Sequence, residues 1–271
     1  MTVLRILGLF VLLPSLILLG INLYGLSQEL RPSEFNVQDL RFGEKDVTVS
    51  KEEFLAQIDQ REDESQTEYT YRLTNLIADG TAHIHWEEFD PKKFHQLVPL
   101  WENWIIHIMG LVTGIPEYER YHFSNPYKSI ERGIGICGDA SMVMTQLLEK
   151  HGIQAEILTF PGHVVVTAEV EGKRKIFDPD FGVVLPFTPP DLKNNVTKAA
   201  ELYMSRGYEE SDRTFFLNSY SKPYVVWDGP EEFITKKFYF EKVAYVLKWV
   251  LPVLGVLLGA FWTRSFKQTH S

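Results

Sequence analysis

The sequence is poor in cysteine and in basic residues. Its 271 residues include one cysteine, Cys137, so no internal disulfide bond can form. Acidic residues outnumber basic ones by 36 to 27, and the formal net charge of −9 argues against nucleic-acid binding, which needs a basic face. There is also no internal repeat. A lone cysteine in such a chain is either a small buried hydrophobe or a reactive thiol.

Charge is missing from two long stretches. Residues 6–26 have no charged side chain over 21 positions, and about 20 apolar residues cross a bilayer. This run is longer than that of a cleaved signal peptide, and no small-residue cleavage site follows it. Residues 243–262 carry one charge, Lys248, near the start, where a long side chain can reach the interface; a buried core helix is the alternative there. We predict transmembrane helices within residues 1–27 and 241–271.

Basic residues near the chain ends predict the topology. Two spans place both ends on one side of the membrane, and Arg5, Arg264 and Lys267 mark that side as cytoplasmic. The middle would then be extracytoplasmic, anchored in the plasma (inner) membrane. Residues 29–242 hold all 36 acidic and 23 basic residues, a net charge of −13, so an anionic lipid surface repels this part of the chain. Three lysines before the second span favour the opposite orientation: Lys236, Lys237 and Lys242.

The stretch between the spans, residues 28–240, predicts one α+β domain in which helices pack on an antiparallel sheet. Apolar periodicity and capping residues indicate the helices, and short β-branched runs between turn residues indicate the strands. The predicted helices cover residues 50–60, 64–80, 90–114, 137–152 and 196–207, the predicted strands cover residues 153–160, 163–170 and 173–180, and residues 116–132 are expected to form a loop.

Cys137 follows a glycine-rich stretch and opens the predicted helix that ends at Gly152. Only the thiolate of a cysteine is a nucleophile, and the free N–H groups and positive dipole end of a helix start stabilise it. The same amides can supply half of an oxyanion hole. We expect Asp139, two residues later, to cap the helix start. The position of Cys137 therefore suits a nucleophile.

A nucleophile also needs a base and a group that orients the base. His163 opens one predicted strand, and Asp178 and Asp180 end the next. If residues 171–172 form a two-residue hairpin loop, these three side chains share one sheet face with Val165. The register leaves both aspartates as partners for His163.

This order of residues resembles the transglutaminase-like superfamily of papain-like cysteine enzymes. The family pattern is a cysteine that opens a leucine-rich helix, then a histidine that opens a strand and an Asp-Pro that ends the next strand. The resemblance covers residues 95–185 and implies Cys137 as nucleophile, His163 as general base and acid, and Asp178 as the residue that orients His163. The aromatic residue that often follows the family's histidine is missing. The matching positions are Gly135, Cys137, Ala140, Leu147, Leu148, Gly152, Ile153, Ala155, His163, Asp178 and Pro179.

The resemblance predicts a membrane-anchored cysteine enzyme acting on a peptide or protein amide. Release of the thioester by water would make it a peptidase or amidase, and release by an amine would make it a transglutaminase-type acyl transferase. We favour water, because nothing in the sequence indicates a site that excludes it. The alternative is a catalytically silent binding or scaffold module in a cell-envelope assembly.

The sequence predicts no cofactor and no metal. His83 and His85 can share a strand face, but no third ligand accompanies them. Gly255 and Gly259 form a G-x-x-x-G pair that suits close packing with a membrane-protein partner. The second oxyanion donor stays open among five upstream residues: Trp101, Trp104, His107, Tyr121 and Asn125.

Overall fold

The computed structural model describes residues 2–32, 37–43, 46 and 48–264. The helices are α1 (Thr2–Gly25), α2 (Lys51–Gln57), α3 (Gln66–Gly80), α4 (Trp104–Val112), α5 (Pro116–Glu119), α6 (Pro126–Arg132), α7 (Cys137–Lys150), α8 (Pro189–Leu192), α9 (Val196–Ser205), α10 (Glu210–Tyr220), α11 (Pro230–Phe233) and α12 (Thr235–Arg264). The strands are β1 (Ala82–His83), β2 (Ile134–Gly135), β3 (Ala155–Phe160), β4 (His163–Val170), β5 (Lys173–Asp178), β6 (Val183–Leu185) and β7 (Val225–Trp227).

Internal contacts divide the chain into two compact units. The terminal unit contains Met1–Leu30, Asp90–Tyr121 and Tyr239–Ser271, and the sheet unit contains Arg31–Phe89 and His122–Phe238. The predicted boundaries at residues 27 and 240 stay predictions. The contacts also show that residues 90–121, from the middle of the sequence, group with the two chain ends.

The sheet unit is built on five antiparallel strands in the order β6-β5-β4-β3-β7. Residues 166–170 of β4 pair with residues 173–177 of β5, which confirms the predicted hairpin register. Both loop residues have positive φ, 51° at Glu171 and 73° at Gly172, as a two-residue turn requires. The prediction of an α+β fold with an antiparallel sheet is therefore confirmed.

Helices cover both faces of this sheet, so its strands are apolar on both sides. One face packs against α3 and α7, with Val166 and Phe177 meeting Leu73, Met144 and Leu147. The other face packs against α9 and α10, and its buried residues include Leu158, Val165, Ile176, Tyr203 and Phe216. Successive strand residues point to opposite faces, which explains why neighbours such as Val165 and Val166 enter different cores.

The predicted helix over residues 90–114 is wrong, since α4 alone is helical there. Pro99 cannot donate an intrahelical hydrogen bond, and His95 has a φ of 51°, outside the helical region. The helix instead begins after Asn103, whose Oδ1 accepts hydrogen bonds from the amides of Ile105 and Ile106 at 3.1 and 3.3 Å.

The predicted loop over residues 116–132 is also wrong, because α5 and α6 lie within it. Each helix begins with a proline, which suits a first helical position since its missing N–H would have no partner there. The other predicted helices and strands are present, with ends shifted by a few residues.

In the terminal unit, α1 and α12 are long and apolar enough to cross a membrane. They pack side by side in antiparallel directions. A Cβ atom added at Gly259 would lie 2.8 Å from the carbonyl oxygen of Gly8, and one added at Gly255 would lie 3.0 Å from Ser15 Cβ. The G-x-x-x-G pair therefore contacts α1 of the same chain, where the sequence suggested a partner protein.

Candidate active site

The fold presents Cys137 at the first position of α7. Gly133 ends α6 with a φ of 66°, and the two residues of β2 lead directly into the helix. A Cβ atom at Gly135 would lie 2.9 Å from Asp139 Cβ, so only glycine allows this close approach. Cys137 is partly exposed. The amides of the first turn precede the first intrahelical hydrogen bond, which Ala140 donates, so they are available as donors.

Asp139 fixes the start of this helix, as the sequence predicts. Its Oδ2 accepts a hydrogen bond from the Ile136 amide at 3.1 Å and contacts Nδ1 of His122 at 2.8 Å. Arg132 Nη2 lies 3.7 Å from Oδ1. Burial alone would raise the pKa of Asp139, yet His122 and Arg132 together bring that pKa below its usual value.

His163 lies at the start of β4 and is almost fully buried, at 2% exposure. Its Nε2 is 2.6 Å from Asp178 Oδ2. Burial lowers the pKa of His163, but the charge and hydrogen bond of Asp178, with contact to Cys137, raise it well above the usual value. Nδ1 is therefore the ring nitrogen left to exchange a proton with the thiol. Close to this contact, Ser141 Oγ of α7 donates a hydrogen bond to the Val164 carbonyl of β4 at 3.2 Å and so joins the helix to the strand.

Asp178 is fully buried and accepts four hydrogen bonds, which satisfy both of its oxygens. Oδ1 accepts from the amides of Asp180 and Phe181 at 3.0 and 3.1 Å. Oδ2 faces His163 and accepts from the Tyr203 hydroxyl at 2.7 Å. This set of donors holds the carboxylate in one orientation, and the carboxylate in turn orients the imidazole.

Tyr203 and Tyr220 extend this chain of hydrogen bonds, and the sequence analysis missed both. Their hydroxyl oxygens are 2.5 Å apart. Burial and the charge of Asp178 raise both tyrosine pKa values well above the usual value, so the hydroxyls stay protonated donors. The i, i+3, i+4, i+7 spacing of Val196, Ala199, Ala200 and Tyr203 does place Tyr203 on the apolar stripe of α9.

Asp180 takes a different partner from Asp178. Its Oδ1 lies 3.4 Å from Nε2 of His83, whose Nδ1 is 2.9 Å from Asp46. Neither Asp180 Oδ1 nor His83 Nε2 has a hydrogen-bond partner among the residues that the structure describes. Burial raises the pKa of Asp180, although the charge of His83 opposes the rise. The contact is therefore a charge pair with poor hydrogen-bond geometry.

Three of these residues can also serve as metal ligands. One ligand atom each from Cys137, His163 and Asp180 lies within 4.8 Å of the others. Thiolate, imidazole and carboxylate suit Zn²⁺, and Asp178 would hold the outer nitrogen of the histidine as carboxylates often do at metal sites. The spacing in sequence does not reveal this group, because its members come from three separate segments.

A cavity of about 670 Å³ lies beside His83, and Cys137 is not among its lining residues. Arg41 and Arg206 line it together with Asp79 and Asp212. This cavity therefore gives no direct access to the thiol, so the partly exposed surface around Cys137 is the place where a substrate can reach the sulfur.

Two of the five upstream candidates for an oxyanion donor already donate to other groups, and a third caps a helix. Trp104 Nε1 donates to the Lys248 carbonyl at 3.2 Å, and His107 Nδ1 is 2.8 Å from the Val98 carbonyl. Asn125 Oδ1 accepts from the Tyr127 amide at 3.0 Å. The second donor stays unassigned.

Comparison with known proteins does not assign the chain to a family. No family model matches the chain, and no curated protein or solved structure gives a significant match. The transglutaminase-like assignment therefore stays a prediction that rests on the sequence motif.

Proposed function

We propose that the protein is a membrane-anchored, transglutaminase-like cysteine enzyme that acts on peptide or protein amides. The observation that carries this proposal is the contact chain from Cys137 through His163 to Asp178. The 2.6 Å contact to Asp178 occupies one ring nitrogen and leaves the other for the thiol. Cys137, which carries the thiol, is partly exposed, whereas His163 and Asp178 are buried.

In the proposed reaction, the Cys137 sulfur forms a bond to the amide carbon while its proton moves to His163. The resulting oxyanion is stabilised by the free amides at the start of α7. His163 then donates its proton to the leaving nitrogen as the C–N bond breaks, which leaves a thioester. Asp178 stabilises the imidazolium in both steps.

Water is the favoured acceptor of the thioester, which makes hydrolysis the proposed outcome. His163 takes a proton from water as the oxygen attacks the thioester carbon, and the C–S bond breaks to restore the Cys137 thiol. An amine bound at the same position would give acyl transfer. Digestion of a peptide library in the presence of a primary amine separates these outcomes, because hydrolysis yields carboxylates and transfer yields new amides.

The two apolar helices support anchoring in a membrane. The basic residues near the chain ends favour the plasma (inner) membrane with the sheet unit on the extracytoplasmic side. Glu62 lies in an exposed turn of the sheet unit, so a cysteine there tests the topology in a Cys137→Ser background. We expect a membrane-impermeant maleimide to label Glu62→Cys in intact cells. Labelling that occurs only after the cells are permeabilised would place the sheet unit in the cytoplasm.

The decisive experiment is the rate of Cys137 alkylation as a function of pH. We expect wild-type protein to react at about pH 6 at least about tenfold faster than His163→Ala, because a neighbouring histidine favours the thiolate. His151→Ala is the matched control, since His151 belongs to the same unit and lies outside the contact chain. Melting temperatures confirm that the variants are folded.

Equal rates in wild type and His163→Ala would exclude an activated nucleophile and favour the catalytically silent binding module. Metal binding is the second candidate for the same three ligand atoms. Metal analysis of the purified protein and alkylation before and after chelation distinguish it. A bound metal that protects the thiol until chelator is added would replace the enzyme proposal with a metal site.

A further inference from the structure

Helix α4 leaves an apolar surface uncovered. Its nine residues, WIIHIMGLV, are more apolar on average than either long helix. Only Ile106 is buried, whereas Leu111 and Val112 are 56% and 70% exposed. Ile108 and Ile115 extend the patch, at 42% and 43% exposure. A contiguous apolar patch of this kind on a soluble surface marks an interaction site.

Hydrogen bonds place the start of α4 beside the two long helices of the terminal unit. The Lys248 carbonyl accepts from Trp104 Nε1 at 3.2 Å and from Asn22 Nδ2 at 2.6 Å. Lys248 Nζ donates to the Glu102 carbonyl at 2.5 Å. Trp104 therefore lies level with Asn22 on α1 and with Lys248 on α12.

This level lies near one edge of the apolar stretches of the long helices. Asn22 is three residues before the end of α1 at Gly25. Lys248 precedes Trp262 by 14 residues, which is about 21 Å along a helix axis. A bilayer core is about 30 Å thick, so with Trp262 at the far boundary the start of α4 lies within about 10 Å of the near boundary between acyl chains and headgroups.

The length of α4 excludes a third crossing. Nine residues extend about 13 Å, less than half of the bilayer core. Charge returns immediately after the patch, at Glu117, Glu119 and Arg120. Trp101 and Trp104 stand at its start, and tryptophan is enriched at membrane interfaces. These features are typical of a segment that lies in the interface.

We propose that residues 104–115 form an interfacial segment that inserts into the phospholipid bilayer beside α1 and α12. The inference rests on the membrane anchoring in the proposed function and is independent of the chemistry at Cys137. The apolar side chains drive the insertion. The acidic residues that follow give no attraction to anionic lipid, so the insertion is insensitive to salt.

The test uses full-length protein in phosphatidylcholine vesicles, with Cys137→Ser and one added cysteine that carries an environment-sensitive fluorophore. Leu111→Cys reports on α4, Leu257→Cys reports on the span, and Glu62→Cys is the exposed control. We expect the label at position 111 to lose most of its emission to a nitroxide near the headgroup and less to one deep in the acyl chains. The label at position 257 should show the reverse order, and the control should be unquenched.

Each other outcome contradicts a defined part of the inference. Quenching at position 257 but not at 111 would overturn the interfacial segment and leave the anchoring intact. Emission at position 111 that is shifted to the blue but not quenched by lipid would indicate that a second copy of the chain covers α4 and would also overturn it. No quenching at either position would overturn the anchoring as well. Loss of quenching at position 111 in about 1 M salt would indicate adsorption by charge, against the proposed insertion.

Discussion

The sheet unit contains two buried histidine–aspartate pairs that look alike and are organised differently. His163 meets Asp178 at 2.6 Å, and His83 meets Asp46 at 2.9 Å. Both histidines have a raised pKa. The pair at His163 faces a thiol, and its carboxylate is fully hydrogen-bonded. The second nitrogen of His83 instead faces the carboxylate of Asp180 at 3.4 Å.

This difference shows what separates a proton-transfer site from a buried ion pair. A base needs one nitrogen fixed by an orienting group and the other directed at a proton donor. His163 meets both conditions, because Asp178 holds Nε2 and Cys137 is the donor. His83 lies between two carboxylates, an arrangement that stabilises its charged form and offers no proton to abstract. We therefore expect variants at the two pairs to differ in reactivity.

The largest expected effect follows from changing the two orienting carboxylates. Asp178→Asn keeps the shape but favours the wrong histidine tautomer, so we expect hydrolysis to fall by between about 100- and 10,000-fold. Asp46→Asn should change it less than about threefold, because Asp46 contacts His83 and lies outside the contact chain. The measurement is hydrolysis of a peptide identified by library screening. Similar losses in both variants, at matched melting temperatures, would remove the distinction between the pairs.

The next effect concerns stability and pH. The pKa of His163 in the folded state lies above the ordinary value of 6.5. The stability that its protonated form contributes is therefore fully present below about pH 6.5 and is lost as the pH rises through the raised pKa. We expect His163→Gln to cost about 3 kcal/mol of unfolding free energy near pH 6, since it leaves the buried Asp178 carboxylate without its cationic partner. The cost should shrink at alkaline pH.

Denaturant unfolding of detergent-solubilised protein at a series of pH values measures this difference. His83→Gln provides the comparison, because the pKa of His83 is raised in the same direction but less strongly. The free-energy cost of His83→Gln should also decline as the pH rises, but over a narrower pH range. A cost of His163→Gln that does not change with pH would contradict a stabilising imidazolium.

The contrast between the two pairs also shows how far the sequence leads. Local patterns predicted the helix that begins at Cys137 and the hairpin that brings Asp178 to His163. Both depend on residues close together along the chain, where periodicity and turn residues determine structure. The family resemblance favoured Asp178 over Asp180 as the partner of His163. In the structure, Asp178 Oδ2 lies 2.6 Å from His163 Nε2.

Other features depend on distant segments and were not predicted. Tyr203 and Tyr220 reach Asp178 because α9 and α10 pack on the far sheet face, which no local pattern specifies. The charge pair of Asp180 joins it to His83 across almost 100 residues. The helix predicted over residues 90–114 is longer than α4, because the prediction gave the apolar run of this segment more weight than Pro99. Apolar periodicity identifies a surface that needs a partner but does not name that partner.

The smallest expected effect concerns the hydroxyl that holds Asp178. Tyr203 donates to the charged Asp178 carboxylate at 2.7 Å, whereas Tyr208 donates to the neutral Phe181 carbonyl at 2.8 Å. Hydrogen bonds to charged groups contribute about 1.5–3 kcal/mol to stability and those between neutral groups about 0.5–1.5 kcal/mol. We therefore expect Tyr203→Phe to lower the free energy of unfolding more than Tyr208→Phe.

Function should separate these two tyrosines more clearly than stability. Without its hydroxyl, residue 203 no longer orients Asp178, and the buried Tyr220 hydroxyl loses its partner. Alkylation of Cys137 near pH 6 should slow severalfold in Tyr203→Phe and stay unchanged in Tyr208→Phe. A matched rate in both variants, with Tyr203→Phe clearly less stable, would show that the tyrosine pair supports the fold alone. A slower rate only in Tyr203→Phe would extend the catalytic network from the sheet into α9, because the hydroxyl acts on the thiol through Asp178 and His163.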